Sequence, residues 1–79
     1  MDTLRHLEEQ LREQAEQILI RLTLESSYLL RELAEGAEPY AILTELHKLL
    51  LDIRRDADVA QWSYVRQLFE LPEEAEVAP

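Results

Sequence analysis

An antiparallel hairpin of two long α-helices is the all-α fold this sequence predicts. Three observations carry the expectation. Apolar residues recur at helical spacing from Leu4 to Leu33, and again from Ile42 to Leu71. Neither run contains a Gly or a Pro. Between the runs stand the chain's only glycine, Gly36, and Pro39, the only proline before the C-terminal tail.

The first helix is expected over about residues 3–35. Asp2 or Thr3 can cap its start by accepting a bond from a free backbone N–H. Leu4, Leu7, Leu11, Ala15, Ile18, Leu22, Leu29 and Leu33 fall on one face at about 100° per residue. Glu8, Glu9, Arg12, Glu13 and Glu16 surround that stripe.

The turn is expected over 36–38. Gly36 suits the left-handed position just past a helix, where a Cβ is penalised. Pro39 suits the first turn of the next helix, where its missing N–H costs nothing. A link this short returns the second helix antiparallel to the first.

The second helix is expected over about 39–71, with a main stripe of Ile42, Leu43, Leu46, Leu49, Leu50, Ile53, Ala57, Ala60, Tyr64, Leu68 and Leu71. Asp58 and Gln61 have the spacing of a capping box, so a break near Asp56 giving a third short helix is the alternative. The apolar phase runs through that point unchanged and favours one continuous helix. Pro72 ends it. Pro72 to Pro79 has no periodicity and no basic residue, and is expected to be a disordered acidic tail. The hairpin, 1–71, is thus one domain.

Composition narrows the function classes. At 79 residues one core is thin, and such chains usually lean on disulfides, metal or a partner. There is no Cys, hence neither disulfide nor thiolate metal site, which fits a reducing compartment. No basic segment followed by an apolar one opens the chain, and no run is long enough to cross a bilayer, so a cytoplasmic protein without a secretory signal is the expectation. The net charge of -9 disfavours nucleic acid and anionic membranes as partners.

No enzyme or metal motif emerges. His6 and His47 have Thr3 and Thr44, not glutamates, three residues before them, so the Glu-x-x-His metal pattern is missing. Ser26, Ser27 and Ser63 have no histidine at a useful spacing. One glycine cannot build a phosphate loop. No catalytic residue, metal or cofactor is expected. Leu49 to Asp58 has a superficial likeness to a BH3 helix, but Asp56 and Ala60 stand where that motif wants large apolar anchors.

Two helices facing each other bury one stripe apiece, and this chain has apolar residues left over. Ile20, Leu24 and Tyr28 lie off the first stripe; Tyr40, Leu51, Trp62, Val65 and Phe69 lie off the second. Apolar area is worth roughly 25 cal/mol per Å² when buried, so a surplus of this kind marks an interface. The partner-binding candidates are therefore Ile20, Leu24, Tyr28, Leu51, Trp62, Val65 and Phe69, positioned by the turn residues Gly36 and Pro39. A third helical segment folding back over them is the alternative cover.

With the hairpin in hand, the chain resembles the small YscE/SsaE-like co-chaperones of bacterial type III secretion systems. Met1-Asp-Thr-Leu-Arg-His-Leu-Glu8 is similar to that family's opening, and Arg31-Glu-Leu-Ala-Glu-Gly-Ala-Glu-Pro39 to its bend. Length, and aromatics before a short polar tail, agree. Tyr40 follows the proline directly, where the family's aromatic usually comes two or three residues later. The resemblance implies a coiled-coil-like hairpin that binds a tetratricopeptide-like co-chaperone in the bacterial cytoplasm. Through that partner it helps keep the needle subunit soluble and monomeric before export, a role in virulence. It also implies instability or self-association when the hairpin protein is alone. Two other functions fit the residues: a self-sufficient homodimeric four-helix bundle with a structural or regulatory role, and an acidic antitoxin or nucleic-acid mimic.

Overall fold

The turn sets the architecture. In the computed structural model, which describes residues 2–71, α1 spans Asp2–Ala34 and α2 spans Pro39–Phe69. The described residues are all-α, with no strand. Gly36 takes φ 104°. Its N–H donates to the Leu33 carbonyl at 3.1 Å, and the Ala37 N–H donates to the Glu32 carbonyl at 2.9 Å. This pair of bonds is a Schellman cap, which satisfies carbonyls that the end of a helix leaves open. A Cβ added at Gly36 would meet no atom within 4 Å, so the demand for glycine is conformational and not steric crowding.

Glu38 is extended, at φ -66° and ψ 128°, as the residue before a proline prefers to be. Pro39 opens α2, and the Ile42 N–H donates to the Glu38 carbonyl at 3.1 Å. The chain has reversed within 35–38. Two antiparallel helices of about 50 Å then run side by side, given 1.5 Å of rise per residue. Across the pair, Arg21 reaches Asp56 at 3.0 Å and Asp52 at 3.5 Å, which marks the register at mid-hairpin.

The core is a single seam. Leu7, Leu49 and Ala60 are its buried residues, and even Leu49 keeps 6% of its surface. Leu11, Ile18, Leu22 and Leu29 of α1, and Ile42, Leu46, Ile53, Ala57, Tyr64 and Leu68 of α2, are half-buried beside them. A helix pair has no third layer to cover these side chains, so partial burial is the limit of the geometry.

Several sequence expectations need correction, though not the favoured continuity of α2, which runs through Asp56 without the break that the alternative third helix required. α2 ends at Phe69, two residues before the expected Leu71. The Glu70 N–H still donates to the Arg66 and Gln67 carbonyls, but Leu71 precedes Pro72 and is biased away from helical backbone. α1 ends at Ala34 instead of 35 because the cap begins with Glu35. Asp2 and Thr3 both lie inside α1, where Asp2 places a negative charge on the first turn. Leu43 and Leu50 are 61% and 48% exposed, so they leave the core stripe for its rim. The expected tail, 72–79, lies outside the described residues.

Candidate partner-binding surface

Each helix shows its partner one narrow stripe, so everything off that stripe faces outward. All seven sequence-predicted contact residues are exposed, with Trp62 at 73% and Phe69 at 87%. The structure does not bring them together. At about 100° per residue, Leu51, Trp62, Val65 and Phe69 lie opposite the α2 core residues Leu46, Leu49 and Ile53, on the face turned away from α1. Ile20 lies on the face of α1 turned away from α2. Leu24 and Tyr28 wind from there toward one edge, where they border a groove with Glu45 and Leu49. The depression over Leu51, Trp62, Val65 and Phe69 and those over Ile20, Leu24 and Tyr28 have separate linings. They also differ in height along the hairpin. Tyr28 is near the bend, while Phe69 is beside the start of α1.

The α2 band is the most developed patch. Leu51, Val59, Trp62, Val65 and Phe69 line a shallow apolar depression with Arg54, Arg55, Asp58 and Arg66 at its rim. From Val59 to Phe69 the sequence carries one charge, Arg66, in a chain that is 32% charged. Val59 belongs to this patch, although its position off both stripes hides it from a simple stripe count.

The two edges of the hairpin differ. One holds the cross-helix ion pairs of Arg21 with Asp52 and Asp56, extended by Arg21 with Glu25 at 2.8 Å and Arg55 with Asp52 at 3.3 Å. The hydrogen bond and charge of Glu25 raise the Arg21 pKa, with Asp56 and Asp52 adding to it. Helical geometry places Ala15, Leu19, Ser26, Leu30 and Leu33 on the other edge of α1, facing Leu43, Leu50 and Ala57 of α2. Leu19, Leu30, Leu33, Leu43 and Leu50 are all exposed there. Leu33 and Leu43 are expected on the two main stripes; both sit on this rim. Leu19 and Leu30 were missed as surface candidates. Their separation of three helical turns was the available signal, as was the seven-residue spacing of Leu43, Leu50 and Ala57.

Two hydroxyls bond to their own helix. Ser26 Oγ donates to the Leu22 carbonyl at 2.7 Å, and Thr44 Oγ1 donates to the Tyr40 carbonyl at 3.0 Å. His6 meets Gln10 at 3.3 Å. Among the described residues no group of three or more His, Asp or Glu is gathered as metal ligands would be. No described helix is long and apolar enough to cross a membrane. The chain matches no protein family, no curated protein and no solved structure.

Proposed function

We propose that this hairpin is a non-enzymatic co-chaperone of type III secretion. It binds a tetratricopeptide-like partner in the bacterial cytoplasm and, through it, helps hold the needle subunit monomeric before export. The observation that carries the reading is the imbalance between core and surface. Among the described residues three are buried, while Leu24, Tyr28, Leu51, Trp62 and Phe69 stay in water. A helix pair so thinly cored gains most of its missing burial from another chain. The resemblance of residues 1–8 and 31–39 to the YscE/SsaE-like proteins supplies the kind of chain.

The test is co-purification with a tetratricopeptide-like secretion co-chaperone and its needle subunit. Trp62→Ala should weaken the complex by about 2 kcal/mol, roughly thirtyfold, while helicity by circular dichroism holds. Leu24→Ala should weaken it less. Normal complex formation by both variants would remove the assigned surface.

The leucine-rich edge favours a second reading, a homodimeric four-helix bundle. Leu19, Leu30, Leu43 and Leu50 of one copy would cover their equivalents in the other. Sedimentation of the isolated chain separates the two readings. A tight dimer that does not exchange with the tetratricopeptide protein supports the bundle.

A further inference from the structure

We propose that the groove between α1 and α2 beside the bend binds an amphipathic helix whose apolar stripe is flanked by basic residues. The inference rests on reading Leu24 and Tyr28 as partner surface, but not on the secretion role. It adds the chemistry of the occupant.

The groove lies across both helices. Leu24, Tyr28 and Leu29 of α1 and Leu49 of α2 give it an apolar lining, and Glu25, Glu32 and Glu45 are its charged members. Leu24, Tyr28 and Glu32 are spaced by four, so they follow one line along α1. Glu45 stands across from them on α2. Two docked helices leave a furrow of this kind, and a third fills it by packing its ridges into the gap. Such a helix would cover Leu24 and Tyr28, which are exposed, and complete the burial of Leu29, which is half-buried.

Charge selects among amphipathic helices, and here the selection survives local pairing. No basic residue lines the groove among the described residues. Of the bases nearby, Lys48 sits 3.7 Å from Glu45, and Arg31 stands four residues before Glu35. Arg21 is shared among Glu25, Asp52 and Asp56, one guanidinium to three carboxylates, and Arg55 meets Asp52 at 3.3 Å. Glu32 has no basic residue three or four positions away on α1, and it makes no ion pair among the described residues. From Arg21 to Asp56 the chain carries seven carboxylates and five basic residues, and one of the five, Arg54, lies on the side of α2 turned away from the groove. The groove therefore keeps an acidic surplus when every base is paired. A cationic side chain can stack on the Tyr28 ring and reach Glu32 one turn on, and an arginine can take that carboxylate bidentately.

The probes are fluorescently labelled helical peptides of about 18 residues with one leucine stripe, flanked by arginines in one and by glutamates in the other. A third has the composition of the arginine peptide with its stripe scrambled. In anisotropy titrations with the full chain, the arginine peptide is expected to bind about tenfold tighter than either of the others. It touches both helices, so it should also raise the Tm of the hairpin. Glu32→Gln with Glu45→Gln should weaken it about tenfold. Glu9→Gln with Glu13→Gln removes the same charge farther than the screening length of about 8 Å from the groove, and should weaken it less than about twofold. Tyr28→Ala should weaken it about tenfold with helicity unchanged, and Trp62→Ala should not. Equal losses from the two glutamine pairs would reduce the attraction to net charge and overturn the proposal. Equal binding of the three peptides, loss of binding with Trp62→Ala in place of Tyr28→Ala, or no binding would each overturn it as well. Self-association of the chain that Tyr28→Ala abolishes would also overturn it, by identifying a second copy as the occupant. None of these results involves the secretion partner, so the proposal can fail while the co-chaperone reading stands.

Discussion

At the residue scale, the division between seam and surface decides what each leucine does. Leu49 is buried in the seam against α1, and Leu51, two positions on, faces solvent. Their substitutions should therefore behave differently. Leu49→Ala should cost about 2–3 kcal/mol in urea unfolding, the low end of the range for buried leucines, because the site is one layer deep and can partly collapse. Leu51→Ala should leave the midpoint close to wild type. Equal losses at the two positions would contradict the seam as described. Charged residues act more weakly. Arg21 has its pKa raised, so it stays protonated through and well above neutral pH. The stability linked to its own titration is present at neutral pH, where its carboxylate partners are ionised, and is lost only in strong alkali. Its exposed pairs respond to salt more than to neutral pH. The sequence showed which residues are apolar and on which turn. It did not separate Leu46 from Leu50, because a 100° wheel assigns a position near the stripe's edge to either side, and only the width of the facing helix settles it.

At the element scale, the bend is where local chemistry and architecture meet. Gly36 and Pro39 were legible as a stop and a start because each suits a backbone state the other residues disfavour. The cap bonds of Gly36 and Ala37 then hold α1 in the orientation from which α2 returns. Gly36→Val should cost about 1–2 kcal/mol by backbone strain alone, since φ 104° is penalised and the space around it is open. Partner binding should fall only as far as the folded fraction falls. Unchanged melting in that variant would count against the cap. The continuity of α2 through Asp56 was harder to read. Asp58 with Gln61 has the local form of a helix start, but the unbroken apolar phase prevails, and α2 places Asp56 against Arg21 of α1. Long-range pairing of this kind has no signature in a local motif.

At the scale of the whole molecule, a hairpin is a fold with two more faces than it can bury. The surplus was visible in the sequence as apolar residues off the main stripes. Its division was not, because direction in space depends on how the two wheels are docked. Docked antiparallel, they give an outer α2 face running from Leu51 to Phe69, a separate α1 face running from Ile20 to Tyr28, and a leucine-rich edge. These surfaces point in different directions, so one chain can engage more than one partner at once. The proposed co-chaperone role, in an assembly of three proteins, would use that arrangement. The central claim, that this hairpin completes its fold on a tetratricopeptide-like partner, is tested most directly by one thermal melt. The chain is followed at 222 nm by circular dichroism, alone and with an excess of that partner. The account predicts a broad, low-temperature transition for the chain alone. It predicts that a hundredfold excess over Kd adds about 2.7 kcal/mol of stability and raises Tm accordingly. A sharp transition, independent of concentration and unmoved by the partner, would contradict it.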